Sequence, residues 1–255
     1  MSSHIKLLLL VCSIALISCE KQHYPLIIAH RGGVALGMEN SLSCIKAGIQ
    51  SGADMIEIDV HLTKDKQVVV CHDYTLDRTT NMTGAIEDYT LDQLQSECRL
   101  MRKDSTVSDE TIPTLEEVLC LCKDRCPILL EIKRRPGKNE GIEALCDSLV
   151  KLHDMDQQVV YQSFNPQSME IIHELDPRLR TEILLGEESE SDTVFFQSDY
   201  LKSINVHYSM ATPEYIQRVH NAGKEIKIWT LNEPDTALLA VDGIITNEPL
   251  KFVRQ

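Results

Sequence analysis

The chain has 255 residues, 43% hydrophobic and 25% charged, which excludes the apolar-poor class of disordered chains. Its 11 glycines and 9 prolines exclude fibrous and low-complexity classes. Thirty-nine acidic against 25 basic residues give a formal charge of −14. That balance offers no basic stripe for nucleic acid and is compatible with a divalent cation site, although most acidic charge on a protein is solvated surface.

The first residues read as an export tag. His4 and Lys6 precede an apolar run over residues 7–17 with Ser13 its one polar residue, too short for the roughly 20 residues of a membrane span but suited to a signal-peptide core. The run ends in Leu16-Ile17-Ser18-Cys19, which resembles the bacterial lipoprotein signal, where a cysteine after a small residue becomes the lipidated first residue. Residues 1–18 are therefore expected to be a signal peptide, Cys19 a lipid anchor, residues 19–24 a linker and residues 25–255 one domain. The mature protein would be exported and held on a membrane facing the periplasm or cell exterior. A plain secretory signal and a buried N-terminal strand are the alternatives. The 237 residues after position 18 match one α/β barrel of about 250 residues better than two domains of about 150.

Of nine cysteines, Cys12 and Cys19 fall in the leader. The odd remainder argues against full disulfide pairing. Cys120 and Cys122 would point about 200° apart on a helix, with no matching ligand pair to complete a zinc site. The remaining cysteines read as small, mostly buried hydrophobes.

From residue 25 the chain alternates strands and helices. A wholly apolar run over 25–30 ends in His30 and is followed by Gly32-Gly33, the pattern of a buried parallel strand and its exit loop. A helix over 39–52 places Leu42, Ile45 and Ile49 on one face and stops at Gly52. Strands follow over 55–61 and 68–71, and then a polar excursion over 74–112 with one short helix near 91–98. A helix over 114–122 opens with Thr114 and Glu117 spaced as a capping box. Further strands are expected over 127–133, 158–164, 180–185, 200–206, 225–231 and 243–246, and helices over 142–153, 167–175, 213–222 and 235–240. This alternation, without a composition break, predicts a closed TIM-type (β/α)8 barrel with a small insertion after the third strand. No Gly-x-Gly-x-x-Gly follows any strand, so a nucleotide-binding open sheet is disfavoured.

In such a barrel the C-terminal ends of the strands meet at one mouth. Polar residues at those ends are His30, Arg31, Glu57, Asp59, His72, Glu131, Lys133 and Trp229. Glu57 and Asp59 lie at i and i+2, as do Glu131 and Lys133, so each pair shares a face. Three converging carboxylates would repel one another unless a hard divalent cation sat between them. Singly, each would be read as a helix cap or surface ion pair. His30 and His72 each end an apolar strand and titrate near neutrality, which suits a general acid–base pair. His61, two residues after Asp59, is read as structural rather than as a ligand. Arg31 and Lys133 fit a phosphate, with arginine as the bidentate clamp. Cation, acid–base pair and phosphate clamp describe phosphodiester cleavage better than glycoside hydrolysis.

These residues sit in Ala29-His30-Arg31-Gly32, Glu39-Asn40-Ser41, Glu57-Ile58-Asp59-Val60, His72-Asp73, Leu76-Asp77-Arg78-Thr79-Thr80, Ile112-Pro113-Thr114-Leu115-Glu116-Glu117, Glu131-Ile132-Lys133, Ser163-Phe164, Trp229-Thr230-Leu231-Asn232 and Asp242-Gly243-Ile244-Ile245-Thr246. In order and spacing they resemble the glycerophosphodiester phosphodiesterase family. The resemblance implies calcium or magnesium held by Glu57, Asp59 and Glu131. It further implies acid–base catalysis by His30 and His72, phosphate contacts from Arg31 and Lys133, and Trp229 as a wall against the glycerol. The expected reaction is metal-dependent hydrolysis of a glycerophosphodiester to glycerol 3-phosphate and an alcohol. Met38 stands where the family usually has proline, which bears on the rigidity of the first loop. Two alternatives remain open: action on a lysophospholipid, sphingolipid or glycerol-phosphate polymer, against which the polar excursion argues mildly, and a non-catalytic ligand-binding lipoprotein. Oligomeric state is not legible.

Overall fold

The computed structural model describes residues 24–189, 192–236 and 240–253. The expected signal peptide and the Cys19 anchor lie outside them, as do residues 237–239 of the helix expected over 235–240. Eight parallel strands close into a ring: β1 (Leu26–Ala29), β2 (Met55–Leu62), β4 (Ile128–Ile132), β5 (Val159–Ser163), β6 (Arg180–Leu185), β7 (Leu201–His207), β8 (Glu225–Trp229) and β9 (Gly243–Thr246). The last closes on the first, Leu26 to Ala29 lying opposite Gly243 to Thr246. The strands are nearly continuous Ile, Leu and Val because both faces are covered, the outer by helices and the inner by the packed barrel.

The ninth strand, β3 (Val68–Val70), is not part of the ring. It pairs antiparallel with the last residues of β2, Val60 opposite Val70 and Leu62 opposite Val68. The insertion does follow the third strand in chain order, but that strand is the return arm of a hairpin, so the insertion lies between the second and third strands of the barrel. It has its own core of Val69, Cys71, Leu76, Ile86, Leu94, Cys98, Leu100 and Ile112. Met38 packs against this cluster, so the first loop is anchored by a hydrophobic contact where a proline would have stiffened it.

The outer helices are α1 (Leu42–Gln50), α3 (Leu115–Cys122), α4 (Ile142–Leu152), α5 (Pro166–Leu175), the single turn α6 (Thr193–Phe196) and α7 (Pro213–Asn221), with α2 (Leu91–Glu97) in the insertion. Both halves of the Thr114–Glu117 capping box are present, a feature worth about 1 kcal/mol. The seven described cysteines are all free and only Cys120 is exposed, as helical spacing from Cys122 requires. No helix among the described residues is long and apolar enough to cross a membrane.

Helix α1 sets the first loop. A Cβ on Gly48 would lie 2.4 Å from the Gly32 carbonyl oxygen, and Gly32 itself adopts φ +86°. Glycine at both positions lets the loop carrying His30 and Arg31 lie directly on the helix, and substitution at either would push those side chains out of the mouth.

Candidate active site

Glu57 and Asp59 project from β2 and Glu131 from β4, where Asp59 lies opposite Glu131 in register. One oxygen from each lies within 4.8 Å of the other two, all three side chains are buried, and together they form a group that can hold a metal ion. His30, Arg31, Glu57, His72, Glu131, Lys133 and Trp229 line one mouth, so the predicted residues are brought together.

His72 arrives by an unexpected path. Strand β2 runs past the mouth and β3 folds back, so that the Cys71 amide donates to the Asp59 carbonyl and the next residue stands beside the carboxylates. Its Nδ1 donates to Asp73 Oδ1 at 2.6 Å, which leaves Nε2 toward the mouth. Asp73 is in turn gripped by Arg78, which also holds Glu39, and Glu39 binds Arg31. A chain of alternating charge thus runs from one histidine to the guanidinium beside the other. His30 is oriented differently: its Nδ1 donates to Asn247 Oδ1 at 2.7 Å, and its Nε2 lies 3.9 Å from Glu57.

Arg31 sits at φ +52°, a left-handed conformation that costs a non-glycine residue about 1 kcal/mol or more. It is retained because its backbone N–H donates to Glu57 Oε2 at 2.8 Å while its side chain binds Glu39. The strain therefore serves to orient a candidate metal ligand. Asn40 does the same for Asp59, donating to Oδ2 at 2.9 Å.

Lys133 is the internal counter-charge, 2.9 Å from Asp59 Oδ1 and 2.6 Å from Glu131 Oε1. Burial opposes charge on every group here, and the partners decide the outcome. Burial alone would raise Asp59, but Lys133, His72 and Arg31 hold it well below the usual carboxylate range. Glu57 is pushed well up by burial and by repulsion from Asp59 and Glu131. Glu131 is raised by burial to about 7 despite Lys133. Two buried carboxylates that resist ionisation beside a third are what a hard cation would relieve, so the donor set fits calcium or magnesium. Burial and the Arg31 charge lower His30 to about 4, and burial lowers His72, while Asp59 and Asp73 favour its proton.

His61 is structural. Its Nδ1 accepts from Asn139 and its Nε2 donates to the His72 carbonyl, so it braces the loop that carries His72. Trp229 lines the mouth with its Nε1 donating to the Asn205 carbonyl, edge-on to Phe164 and His207, each 5.4 Å away between ring centroids. His207, Asn247 and Gln162 are site neighbours that strand-end reasoning passed over. His207 is the last residue of β7, one beyond the expected strand end.

A parallel eight-stranded barrel whose mouth joins a carboxylate trio, two histidines, an arginine and a lysine has the architecture of a TIM-barrel hydrolase of phosphate esters. The model of the glycerophosphoryl diester phosphodiesterase family matches residues 30–251, and the chain belongs to that family. It is similar to the glycerophosphodiester phosphodiesterase of Caldanaerobacter subterraneus, 32% identical over 231 residues, covering 88% of this chain and 94% of the relative. The enzyme of the same name from Bacillus altitudinis is 32% identical over 89% of this chain and 96% of its own. Among solved structures, an Oleispira antarctica phosphodiesterase in complex with the product sn-glycerol-3-phosphate superposes with a TM-score of 0.79 at 25% identity, covering 90% of this chain and 95% of that one.

Proposed function

We propose that the protein hydrolyses glycerophosphodiesters to glycerol 3-phosphate and a free alcohol, with a divalent cation held by Glu57, Asp59 and Glu131 and with His30 and His72 as the acid–base pair. What carries this is the convergence of that carboxylate trio with two differently braced histidines at one mouth. When bound, the cation supplies positive charge to an anionic diester. Arg31 and Lys133 bind and orient the phosphate. The Nε2 atoms of His30 and His72, both free of protein hydrogen-bond partners among the described residues, remove a proton from the attacking hydroxyl and deliver one to the departing alcohol. Trp229 excludes water and packs against the glycerol. Export and anchoring through Cys19 complete the proposal, supported by the apolar run and Leu16-Ile17-Ser18-Cys19.

A second reading, a lysophospholipid substrate, is favoured by one observation. A groove of about 600 Å³ beside the mouth is lined by Leu36, Met38, Leu100 and Met101 with Arg102 and Lys103, and is bounded by Glu39 and Arg78 of the charge chain. The insertion is therefore less uniformly polar toward the mouth than its sequence implies. Incubating mature protein with glycerophosphocholine and lysophosphatidylcholine, after chelation and after adding back calcium or magnesium, separates the readings. Cation-dependent release of choline from the former supports the proposal. Full activity after exhaustive chelation refutes the cation site, and exclusive action on the latter selects the second reading.

A further inference from the structure

The barrel interior below the mouth holds a buried ion pair remote from the catalytic groups. Lys227 Nζ donates to Glu182 Oε1 at 2.6 Å, and Arg180 Nε reaches the same carboxylate oxygen at 3.0 Å. Glu182 is fully buried; burial would raise its pKa, but these two cations hold it lowered, so it is an acceptor only. Its other oxygen accepts from Asn205 Nδ2 at 2.9 Å. Asn205 must present its NH2 group on that side, because a flipped amide would set its own oxygen against the carboxylate. The Asn205 oxygen accordingly faces Ser203 Oγ at 2.7 Å. The second Asn205 N–H then donates to Gln162 Oε1 at 2.9 Å, and Gln162 has no choice of orientation either. Its Nε2 is turned away from Asn205, has no hydrogen-bond partner among the described residues, and belongs to a side chain 1% exposed that lines the mouth.

The polarity of a deep ion pair is thus passed through two amides and emerges at the mouth as two N–H donors. Gln162 lies opposite Glu131 in the strand register, between the candidate metal ligands and the apolar side formed by Leu184 and Trp229. The phosphate already has Arg31 and Lys133, so a neutral donor beside apolar groups suits a neutral hydroxyl. We propose that Gln162 is a specificity-determining residue that donates through Nε2 to a glycerol hydroxyl of the substrate, with Asn205 as the residue that fixes its orientation. This rests on the glycerophosphodiester reading above.

The test measures kcat/KM on glycerophosphocholine and on its two deoxy analogues, the phosphocholine diesters of 1,2-propanediol and 1,3-propanediol, each lacking one hydroxyl. A buried donor left without its acceptor predicts that wild type prefers glycerophosphocholine by about tenfold or more over one analogue. Gln162→Met lowers kcat/KM on glycerophosphocholine by about tenfold and on that analogue by less than twofold. Gln162→Glu, which keeps the size and replaces the donor by an acceptor, gives the same pattern and serves if the methionine variant does not fold. Equal losses on all three substrates overturn the assignment. So does a wild type that accepts all three within twofold, a result needing no variant. A wild type that cleaves none of them refutes the glycerophosphodiester reading itself, which is a distinguishable failure.

Discussion

Lys133→Met separates two tasks that one ammonium group performs. In the chain without a cation, Lys133 lies 2.9 Å from Asp59 and 2.6 Å from Glu131. At an effective dielectric of about 20, each contact is worth about 6 kcal/mol before desolvation. Removing one partner of such a buried pair costs about 3–5 kcal/mol net. Protonation of Glu131, whose pKa is already about 7, limits the damage, so about 3 kcal/mol is expected at pH 8. For a barrel of this size 1 kcal/mol moves the melting temperature by about 2–4 °C, which gives a drop of roughly 6–12 °C in chelator. The same substitution removes a competitor for the carboxylates, so saturating calcium or magnesium should raise the melting temperature of the variant more than that of wild type. It also deprives the phosphate of a cation, so kcat/KM should fall by at least about a hundredfold. Scanning calorimetry with and without cation, beside turnover assays, reads all three. A variant that melts with wild type in chelator, or gains less from the cation than wild type does, would refute the view of Lys133 as counter-charge to the trio.

Asp73→Asn should lower kcat about 10–100-fold with little change in KM, since His72 loses its carboxylate partner and Arg78 one of its two; unchanged turnover would remove Asp73 from any role in orienting His72. Between about pH 6.5 and 4 the histidines and the raised carboxylates act on stability in opposite directions, because Glu57 and Glu131 take up protons in the folded chain and favour it as pH drops. Over that interval His61, lowered to about 4 mainly by burial, binds its proton only in the unfolded chain. His61 alone destabilises the folded chain by at most about 3 kcal/mol at the acid end, with His30 and His72 acting in the same direction, so chemical denaturation should show His61→Gln gaining stability relative to wild type as pH drops across the window, and a constant difference would refute the assignment. Cys19→Ala should move the protein from the membrane to the soluble fraction after cell fractionation; if it stays with the membrane, the anchor lies elsewhere.

Much of the barrel was legible because a strand buried on both faces must be apolar throughout, and runs such as Ile128–Ile132 have no other use in a soluble domain. The carboxylate trio follows from period-two alternation within the Glu57–Asp59 strand together with the convergence of strand ends at a barrel mouth, which brings in Glu131. Strand direction did not follow. Val68–Val70 is as apolar as a barrel strand, and composition is silent about antiparallel pairing. The available signal was the length of the connection: residues 63–67 form a turn closed by Thr63 and Gln67, too short for a parallel crossover of about a dozen residues. His72 reaches the mouth because β2 overshoots it and β3 folds back, a route that strand-end position does not show. Asn247 was not legible because its role exists only when barrel closure brings it to His30, 217 positions away. Gln162 was missed because the orientation of its amide is decided by Asn205 and Glu182, not by its neighbours in sequence.

The hairpin that leaves the ring divides the proposed catalytic machinery between two mechanical supports. His30 and the carboxylates are built on the closed barrel, whereas His72 is delivered by an arm whose far side is anchored in the eight-residue core of the insertion. Loosening that small core, by Leu94→Ala for example, would let one histidine drift while its counterpart and the carboxylate trio stay in place. On heating, catalysis should therefore fail before the barrel melts, and the interval between the two temperatures would report how firmly the insertion clamps its histidine.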